Sequence, residues 1–158
     1  MAGAETGSAG DDTATTFAPD INVASVSPYS TTFNNSANNY TLSGTGGFGI
    51  ASGTLTKNGT ATVTISSVNS YAGATTINAG TILMSGSGTL GTGSALTLGG
   101  GKLDLGTTSQ TLAGLTVPDL LAASYTLAGT GLTLNGAADR QFGPGGAVTN
   151  AHSITMDF

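Results

Sequence analysis

The sequence predicts an all-β protein, and within that class a β-solenoid, in which each turn of the chain adds one short strand to several parallel sheets. Gly, Thr, Ser and Asn make up about half of the 158 residues, and all four rank low in helix propensity. Short runs of Thr with Val, Ile or Leu alternate with period two, as strands do. These runs are three or four residues long and are separated by Gly, Asn and Ser. They are short for a two-sheet sandwich and suit coils of about 20 residues that stack along one axis.

The predicted strands follow one another from Tyr40 to Met156. Each sends one set of side chains inward and a mostly Thr or Ser set outward. We expect Ile65, Ile77 and Leu83 at inward positions and Thr76 at an outward one. The runs are Tyr40–Leu42, Thr54–Thr56, Thr62–Ile65, Thr75–Ile77, Thr81–Met84, Leu96–Leu98, Leu103–Leu105, Leu115–Val117, Tyr125–Leu127, Leu132–Leu134 and Ser153–Met156.

The first thirty residues differ from the rest of the chain. Their periodic apolar pattern is weak, with Ile21–Val26 as a candidate strand. Half of the acidic residues lie here: Glu5, Asp11, Asp12 and Asp20. We therefore expect residues 1–30 to form an acidic arm that is flexible or docks on a partner or a sheet edge. Residues 31–158 are predicted to form the solenoid domain.

Composition and charge exclude several classes of function. With 38% hydrophobic residues and a net charge of −5, the chain is too apolar and too weakly charged to match a disordered segment. Its only basic residues, Lys57, Lys102 and Arg140, cannot neutralise a row of phosphates, so we expect no nucleic-acid binding. No apolar run is long enough for a membrane-spanning helix. The absence of Cys excludes disulfides.

The sequence offers no convincing catalytic constellation. His152 is the only His and there is no Cys, so a Ser-His-Asp set would depend on this one residue. Carboxylate pairs for glycoside hydrolysis would have to come from scattered residues, in a chain without Trp. Those residues are Asp104, Asp119, Asp139 and Asp157. We predict no catalytic residues, no cofactor-binding residues, no cofactor and no enzymatic activity.

Three further segments could be sites but have simpler explanations. Gly99–Leu105 is similar to a calcium-binding nonapeptide, but Lys102 occupies a position that must be Gly, so a turn followed by a strand is favoured. Gly143–Gly146 is a turn without the Lys-Ser/Thr of a phosphate loop. An amide-rich stretch could form a ladder between stacked strands, although an Asx-turn loop is favoured; it contains Asn34, Asn35, Asn38 and Asn39. No metal site is predicted, and weak calcium binding by the Asp residues stays open.

The stretch from Gly53 to Leu83 resembles a known repeat. It runs GTLTKNGTATVTISSVNSYAGATTINAGTIL and is similar to the autotransporter-associated β-strand repeat, also called the passenger-associated transport repeat, whose usual pattern is K-x-G-x-G-T-L-T-L-S-G-x-N-x-Y-T-G-G-T-T-V-N-A-G-T-L. Inward apolar replacements are Val63, Ile65, Ile77 and Ile82. Matching positions are Lys57, Gly59, Thr62, Thr64, Ser66, Asn69, Tyr71, Gly73, Thr75, Thr76, Asn78, Ala79, Gly80 and Thr81.

This resemblance implies a right-handed parallel β-helix with short Gly and Asn turns, in a secreted or surface-displayed bacterial protein such as an autotransporter passenger. In that family the repeat is a stalk or secretion-supporting element and not a catalytic motif. We therefore expect a non-enzymatic structural module, either a solenoid stalk or a self-assembling extracellular fibre or biofilm subunit. The alternative is an adhesin module that binds carbohydrate or a host surface.

The expected partners follow from the same reasoning. The chain stops within the alternating run Ser153–Phe158, and neither end has an amphipathic helix as a cap. We expect end-to-end association with further copies, or with the neighbouring coils of a longer passenger, and no insertion into a membrane. A carbohydrate ligand belongs to the adhesin alternative.

Overall fold

The computed structural model describes residues 18–117 in full and, outside that range, the backbone of five strands at 6–9, 125–128, 131–134, 140–142 and 154–157. These residues form strands and turns without a helix, so none of them builds a helix that could cross a membrane. The strands are β1 (Thr6–Ala9), β2 (Ser30–Phe33), β3 (Tyr40–Leu42), β4 (Thr54–Lys57), β5 (Thr62–Ile65), β6 (Thr75–Ile77), β7 (Thr81–Met84), β8 (Ala95–Leu98), β9 (Lys102–Asp104), β10 (Ser109–Leu112), β11 (Gly114–Val117), β12 (Tyr125–Ala128), β13 (Gly131–Leu134), β14 (Arg140–Phe142) and β15 (Ile154–Asp157).

The strands pair in parallel and form a β-solenoid. The seven-stranded sheet has the order β1-β2-β4-β6-β8-β11-β14, the six-stranded sheet has the order β15-β12-β9-β7-β5-β3, and β10 pairs with β13. Each strand therefore lies beside the equivalent strand of the next coil. Leu55 pairs with Thr75, Thr75 with Leu96, and Leu96 with Leu115. The all-β solenoid predicted from the short alternating runs is confirmed.

The core consists of inward side chains stacked in columns along the solenoid axis. In the six-stranded sheet Val63, Ile82 and Leu103 lie beside one another in register, and all three are fully buried. Burying an aliphatic side chain of this size contributes about 1.5–3 kcal/mol. Because each coil packs only on its neighbours, the stability of the solenoid increases coil by coil.

One inward position predicted from the sequence is wrong. Ile65 and Ile77 are fully buried, as expected, but Leu83 is half-buried on the outer face, and Ile82 and Met84 point inward instead. The run from Thr81 to Met84 has three consecutive apolar residues, so composition leaves the phase of the alternation open. Pairing with β5 decides it, because Ile82 and Met84 lie beside the buried Val63 and Ile65.

Glycines at the corners let adjacent coils approach closely. A Cβ atom on Gly91 would lie 1.7 Å from the carbonyl oxygen of Tyr71 in the preceding coil. A Cβ on Gly59 would lie 2.0 Å from the carbonyl oxygen of Asn35. Both distances are below any van der Waals contact, so a larger residue at either corner would force two coils apart.

The described part of the N-terminal residues lies against the next coil of the same chain. β1 pairs with β2, the amide of Ile21 donates to the carbonyl of Ser43 (3.0 Å), and the amide of Val26 donates to the carbonyl of Gly49 (3.0 Å). The strand expected over Ile21–Val26 is replaced by isolated bridges at Asp20 and Val26. A domain boundary at residue 30 stays a prediction.

Candidate functional surfaces

The third side of the solenoid follows the six-stranded sheet in each coil and comprises residues 43–53, 66–74, 85–94 and 105–113. In the second and third of these segments an isolated bridge between Val68 and Thr89 takes the place of strands. Here Asn69 joins three coils: its Oδ1 accepts from the Ile50 amide (2.8 Å) and its Nδ2 donates to the Thr89 carbonyl (2.7 Å). The side chain of Asn69 thus supplements the backbone bonds that join these coils, from the Ser70 amide to the Ile50 carbonyl (2.9 Å) and from the Thr89 amide to the Ser67 carbonyl (3.1 Å).

The side chain of Gln110 likewise joins its own coil to the preceding one. Its Oε1 accepts from the Leu90 amide (2.8 Å), and its Nε2 donates to the Gly88 carbonyl (3.0 Å) and to Thr108 Oγ1 (3.0 Å). Gln110 is buried in β10, a strand that the sequence did not predict, because Ser-Gln-Thr-Leu contains a single apolar residue. The sequence nonetheless contains a signal for this strand, because Gln110 and Leu112 are two positions apart and both face inward.

A chain of buried hydroxyl groups also connects neighbouring coils. Tyr71 Oη lies 2.8 Å from Thr75 Oγ1, which lies 2.8 Å from Ser94 Oγ, and all three residues are fully buried. Burial raises the pKa of Tyr71 to about 12, an effect that the hydrogen bond to Thr75 opposes. Tyr71 therefore stays neutral at physiological pH and serves as a structural hydrogen-bonding group.

Lys57, one of the three basic residues of the chain, lies in the core. It is fully buried, and its inward column continues with Phe33 on one side and Ile77 on the other. Its Nζ donates a hydrogen bond to the Gly59 carbonyl. Lys102 is the one basic side chain that residues 18–117 expose, so that part of the surface is even less suited to phosphates than the composition indicated.

The carboxylate of Asp104 is bonded to residues close to it in the sequence. The Lys102 ammonium donates to Asp104 Oδ2 at 2.7 Å, and the Gly106 amide donates to Oδ1 at 3.0 Å. The hydrogen bond from Lys102 is the largest cause that holds the pKa of Asp104 below its ordinary value. Gly99–Gly101 forms the turn before β9, as the sequence predicted, and the pairing with Lys102 occupies the carboxylate that a calcium loop would need.

Among the described residues, the other acidic candidates do not form a metal-binding cluster. Within the described residues there is no group of three or more His, Cys, Asp or Glu side chains that could hold a metal ion. The side chain of Asp20 accepts hydrogen bonds from Ser43 (2.8 Å) and Thr45 (2.9 Å), and these bonds lower its pKa, Ser43 most strongly. Several candidates lie outside the described residues: Asp11, Asp12, Asp119, Asp139, Gly143–Gly146, His152 and the side chain of Asp157.

Asparagines at the first corner form a ladder between coils. Asn58 Nδ2 donates to Asn34 Oδ1 (3.0 Å), and Asn78 Nδ2 donates to Asn58 Oδ1 (2.7 Å). Asn35 is buried and donates to the Thr62 carbonyl (3.0 Å), while Asn39 Oδ1 accepts from the Thr62 amide (2.9 Å). Asn34, Asn35 and Asn39 thus bond between coils, so the ladder interpretation holds and the favoured local loop does not suffice.

On the outer face of the seven-stranded sheet, a Thr occupies the same register position in five consecutive coils. We call this row the threonine ladder: Thr32, Thr56, Thr76, Thr97 and Thr116. The corresponding row of the six-stranded sheet is mixed: Thr41, Thr64, Leu83 and Asp104. The two outer faces therefore differ in regularity and in charge.

A shallow groove of about 670 Å³ crosses the corner between the third side and the seven-stranded sheet. Tyr29 forms one wall and is 76% exposed. The remaining wall is built from small residues of three successive coils. These include Ser27, Ala51, Ser52, Gly53, Ser70, Ala72 and Gly73.

Comparison with known proteins identifies one segment. Residues 55–84 match the sequence model of the passenger-associated-transport-repeat family, which confirms the resemblance seen from Gly53 to Leu83 and covers about a fifth of the chain, from β4 to β7. No curated protein and no solved structure matches the chain. A β-solenoid with this repeat fits a structural module of an autotransporter passenger, and the repeat implies a secreted or cell-surface protein.

Proposed function

We propose that this chain is a non-enzymatic structural module of a bacterial surface assembly, and that its solenoid associates end to end with further copies into an extracellular fibre. In a related form of the same function, the module is part of the stalk of a longer passenger, whose coils continue within one covalent chain. In both forms the module supplies length and rigidity, and its partner is another coil of the same kind.

The observation that carries this proposal is the continuous parallel pairing along the axis. Seven strands from β1 to β14 pair in one sheet, and within residues 30–117 the columns of inward side chains follow the same register. Among the described strands, the outermost two of that sheet pair with a neighbour on one side only, and an unpaired parallel edge is a template for another strand. A head-to-tail contact of this kind does not close on itself and gives a filament.

Light scattering and negative-stain electron microscopy of the purified chain over a concentration series test the fibre. Growth in one dimension with concentration is the expected result. Deletion of residues 153–158, which removes β15, is expected to suppress growth, whereas Thr64→Ala, on an outer face away from both ends, is expected to leave it unchanged. A monomer at every concentration, unaltered by the deletion, rules out the fibre and leaves the stalk.

The groove beside Tyr29 favours the second candidate, a binding module for carbohydrate. Aromatic and small apolar walls with a few hydroxyl groups are typical of ligand grooves, and Tyr29 presents an exposed ring at this one. Binding of the monomer to a glycan array, lost in Tyr29→Ala and retained in Thr64→Ala, would support the adhesin. An array without signal would remove it.

A further inference from the structure

We propose that the outer face of the seven-stranded sheet is an ice-binding surface, with the threonine ladder as its central row. The proposal is independent of whether the chain forms a fibre or a stalk. It rests on the spacing of the ladder, on the side chains around it and on the state of its hydroxyl groups.

The first argument is geometric. Paired parallel strands lie about 4.8 Å apart, and the register places each Thr of the ladder directly beside the next, from Thr32 to Thr116. Outward residues of one strand are two positions apart, or about 6.6 Å, as for Thr54 and Thr56 in β4. The ladder therefore presents one Thr methyl group and one hydroxyl group per coil at a repeat close to one oxygen repeat of ice, and β4 alone of these five strands adds a second outward Thr.

The second argument concerns the residues that flank the ladder. The row two positions before it is made of small side chains, and the sole charged residue of β2, β4, β6, β8 and β11, Lys57, points inward and is buried. The flanking row contains Ser30, Thr54, Ala95 and Gly114. Over these five strands the outer face has neither a charge nor a long side chain, which leaves a regular layer of water undisturbed.

The third argument is the state of the hydroxyl groups. Some Thr hydroxyls of residues 18–117 are used internally: Thr75 bonds to Tyr71 and Ser94, and Thr89 bonds to the Asn69 carbonyl. In contrast, hydrogen bonds between residues 18–117 leave the hydroxyls of Thr56, Thr76 and Thr97 free to bond to water. Their methyl groups order the adjacent water, and their hydroxyl groups can hold it in a fixed pattern.

The six-stranded sheet provides the internal comparison. Its outer row changes from Thr64 to Leu83 to Asp104, and the ion pair of Lys102 with Asp104 adds opposite charges. Backbone spacing is the same on both sheets, so spacing alone would not distinguish them. The composition of the outer row does, and we assign ice binding to the seven-stranded sheet alone.

The test uses the purified chain in a thermal-hysteresis measurement, with microscopy of ice-crystal shape and uptake of fluorescently labelled protein into growing ice. We expect the unmodified chain to shape ice crystals and to give a freezing hysteresis. Thr76→Lys, at the centre of the ladder, is expected to lose most of that hysteresis. Thr64→Lys is the matched control on the other sheet and is expected to retain it.

Circular dichroism and size-exclusion chromatography accompany each variant. If Thr76→Lys does not fold, Thr97→Ser removes a single methyl group from the ladder and is expected to reduce the hysteresis while it preserves the fold. Absence of ice shaping by the unmodified chain would overturn the proposal. An equal loss of hysteresis in Thr76→Lys and Thr64→Lys would also overturn it. The same holds if Thr76→Lys retains ice binding but changes the oligomeric state, because this face would then associate with another copy.

Discussion

On the two sheet sides of the solenoid, backbone groups join one coil to the next, whereas on the third side side chains take part in the joining. β4, β6 and β8 pair by ladders that any non-proline residue can make. Between Ile50 and Thr89 the side-chain amide of Asn69 adds two bonds to the backbone bonds from the Ser70 amide to the Ile50 carbonyl and from the Thr89 amide to the Ser67 carbonyl. The sheet sides therefore constrain the sequence through the size and polarity of inward residues, and the third side constrains it through the identity of particular polar residues.

The largest expected loss of stability comes from a charge placed in the core behind one of the two sheets. Ile82→Asp places a carboxylate between Val63 and Leu103, both fully buried, and we expect a loss of several kcal/mol in the free energy of unfolding. In Ile77→Asp the new carboxylate lies in the strand next to the buried Lys57, which can pair with it. Urea unfolding should show the smaller loss for Ile77→Asp; the reverse order would mean that Lys57 does not pair with the new carboxylate.

The next largest effect comes from the loss of side-chain hydrogen bonds on the third side. Asn69→Ala leaves the Ile50 amide and the Thr89 carbonyl without their partner, at a cost of about 1–3 kcal/mol for each group that stays buried. Asn58→Ala is the matched control, because it also removes two amide hydrogen bonds between coils but at an exposed corner where water replaces them. Its cost should stay within about 1 kcal/mol. Similar melting shifts for both variants would contradict the dependence of the third side on Asn69.

A third experiment uses pH to separate burial from hydrogen bonding. Tyr71→Phe removes one buried hydroxyl from the chain with Thr75 and Ser94 and should cost about 0.5–1.5 kcal/mol at neutral pH. The raised pKa of about 12, against an ordinary value of 10.0, favours the neutral phenol in the folded state. This contribution is fully present below pH 10 and is lost as the pH rises from 10 towards 12.

The advantage of the unmodified protein over Tyr71→Phe should therefore shrink across that range, as thermal melts at several alkaline pH values would show. Tyr29→Phe, at an exposed position, serves as the control. A constant difference between the unmodified protein and Tyr71→Phe up to pH 12 would mean that Tyr71 is not protected from ionisation.

The smallest expected effect concerns the outer face. Thr76→Ala removes a half-buried outward side chain without a hydrogen bond to the described residues, and we expect a change within about 0.5 kcal/mol. A melting shift as large as that of Ile82→Asp would show that the inward and outward faces of β6 had been exchanged.

Sequence reasoning recovered the sheet sides well because their signal is local. Each of the eleven predicted runs corresponds to an observed strand, to within one residue at each end, and the buried Ile65 and Ile77 were placed correctly. Leu83 failed because the phase of an apolar triplet is set by the neighbouring coil. Local alternation contains no information about pairing across 19 residues, which is the separation between Val63 and Ile82.

The third side was harder to predict for the same physical reason. Asn69 was noted as part of the repeat, but its partners, Ile50 and Thr89, lie in two other coils. The buried position of Lys57 follows from its pairing with Phe33 and Ile77, and a charged residue gives no apolar signal of its own. Polar residues with an inward phase, Gln110 among them, are the sequence signal to look for in such chains.

The register between coils has a consequence for how a gene of this kind can change. Leu55, Thr75 and Leu96 occupy equivalent places at separations of 20 and 21 residues. Duplication or loss of a segment of that length would preserve which side chains face the core, so the protein could grow or shrink by whole coils through recombination. An insertion of one residue inside a strand would instead turn its core residues outward. Tolerated changes in length are therefore expected in steps of one coil, or at the corners.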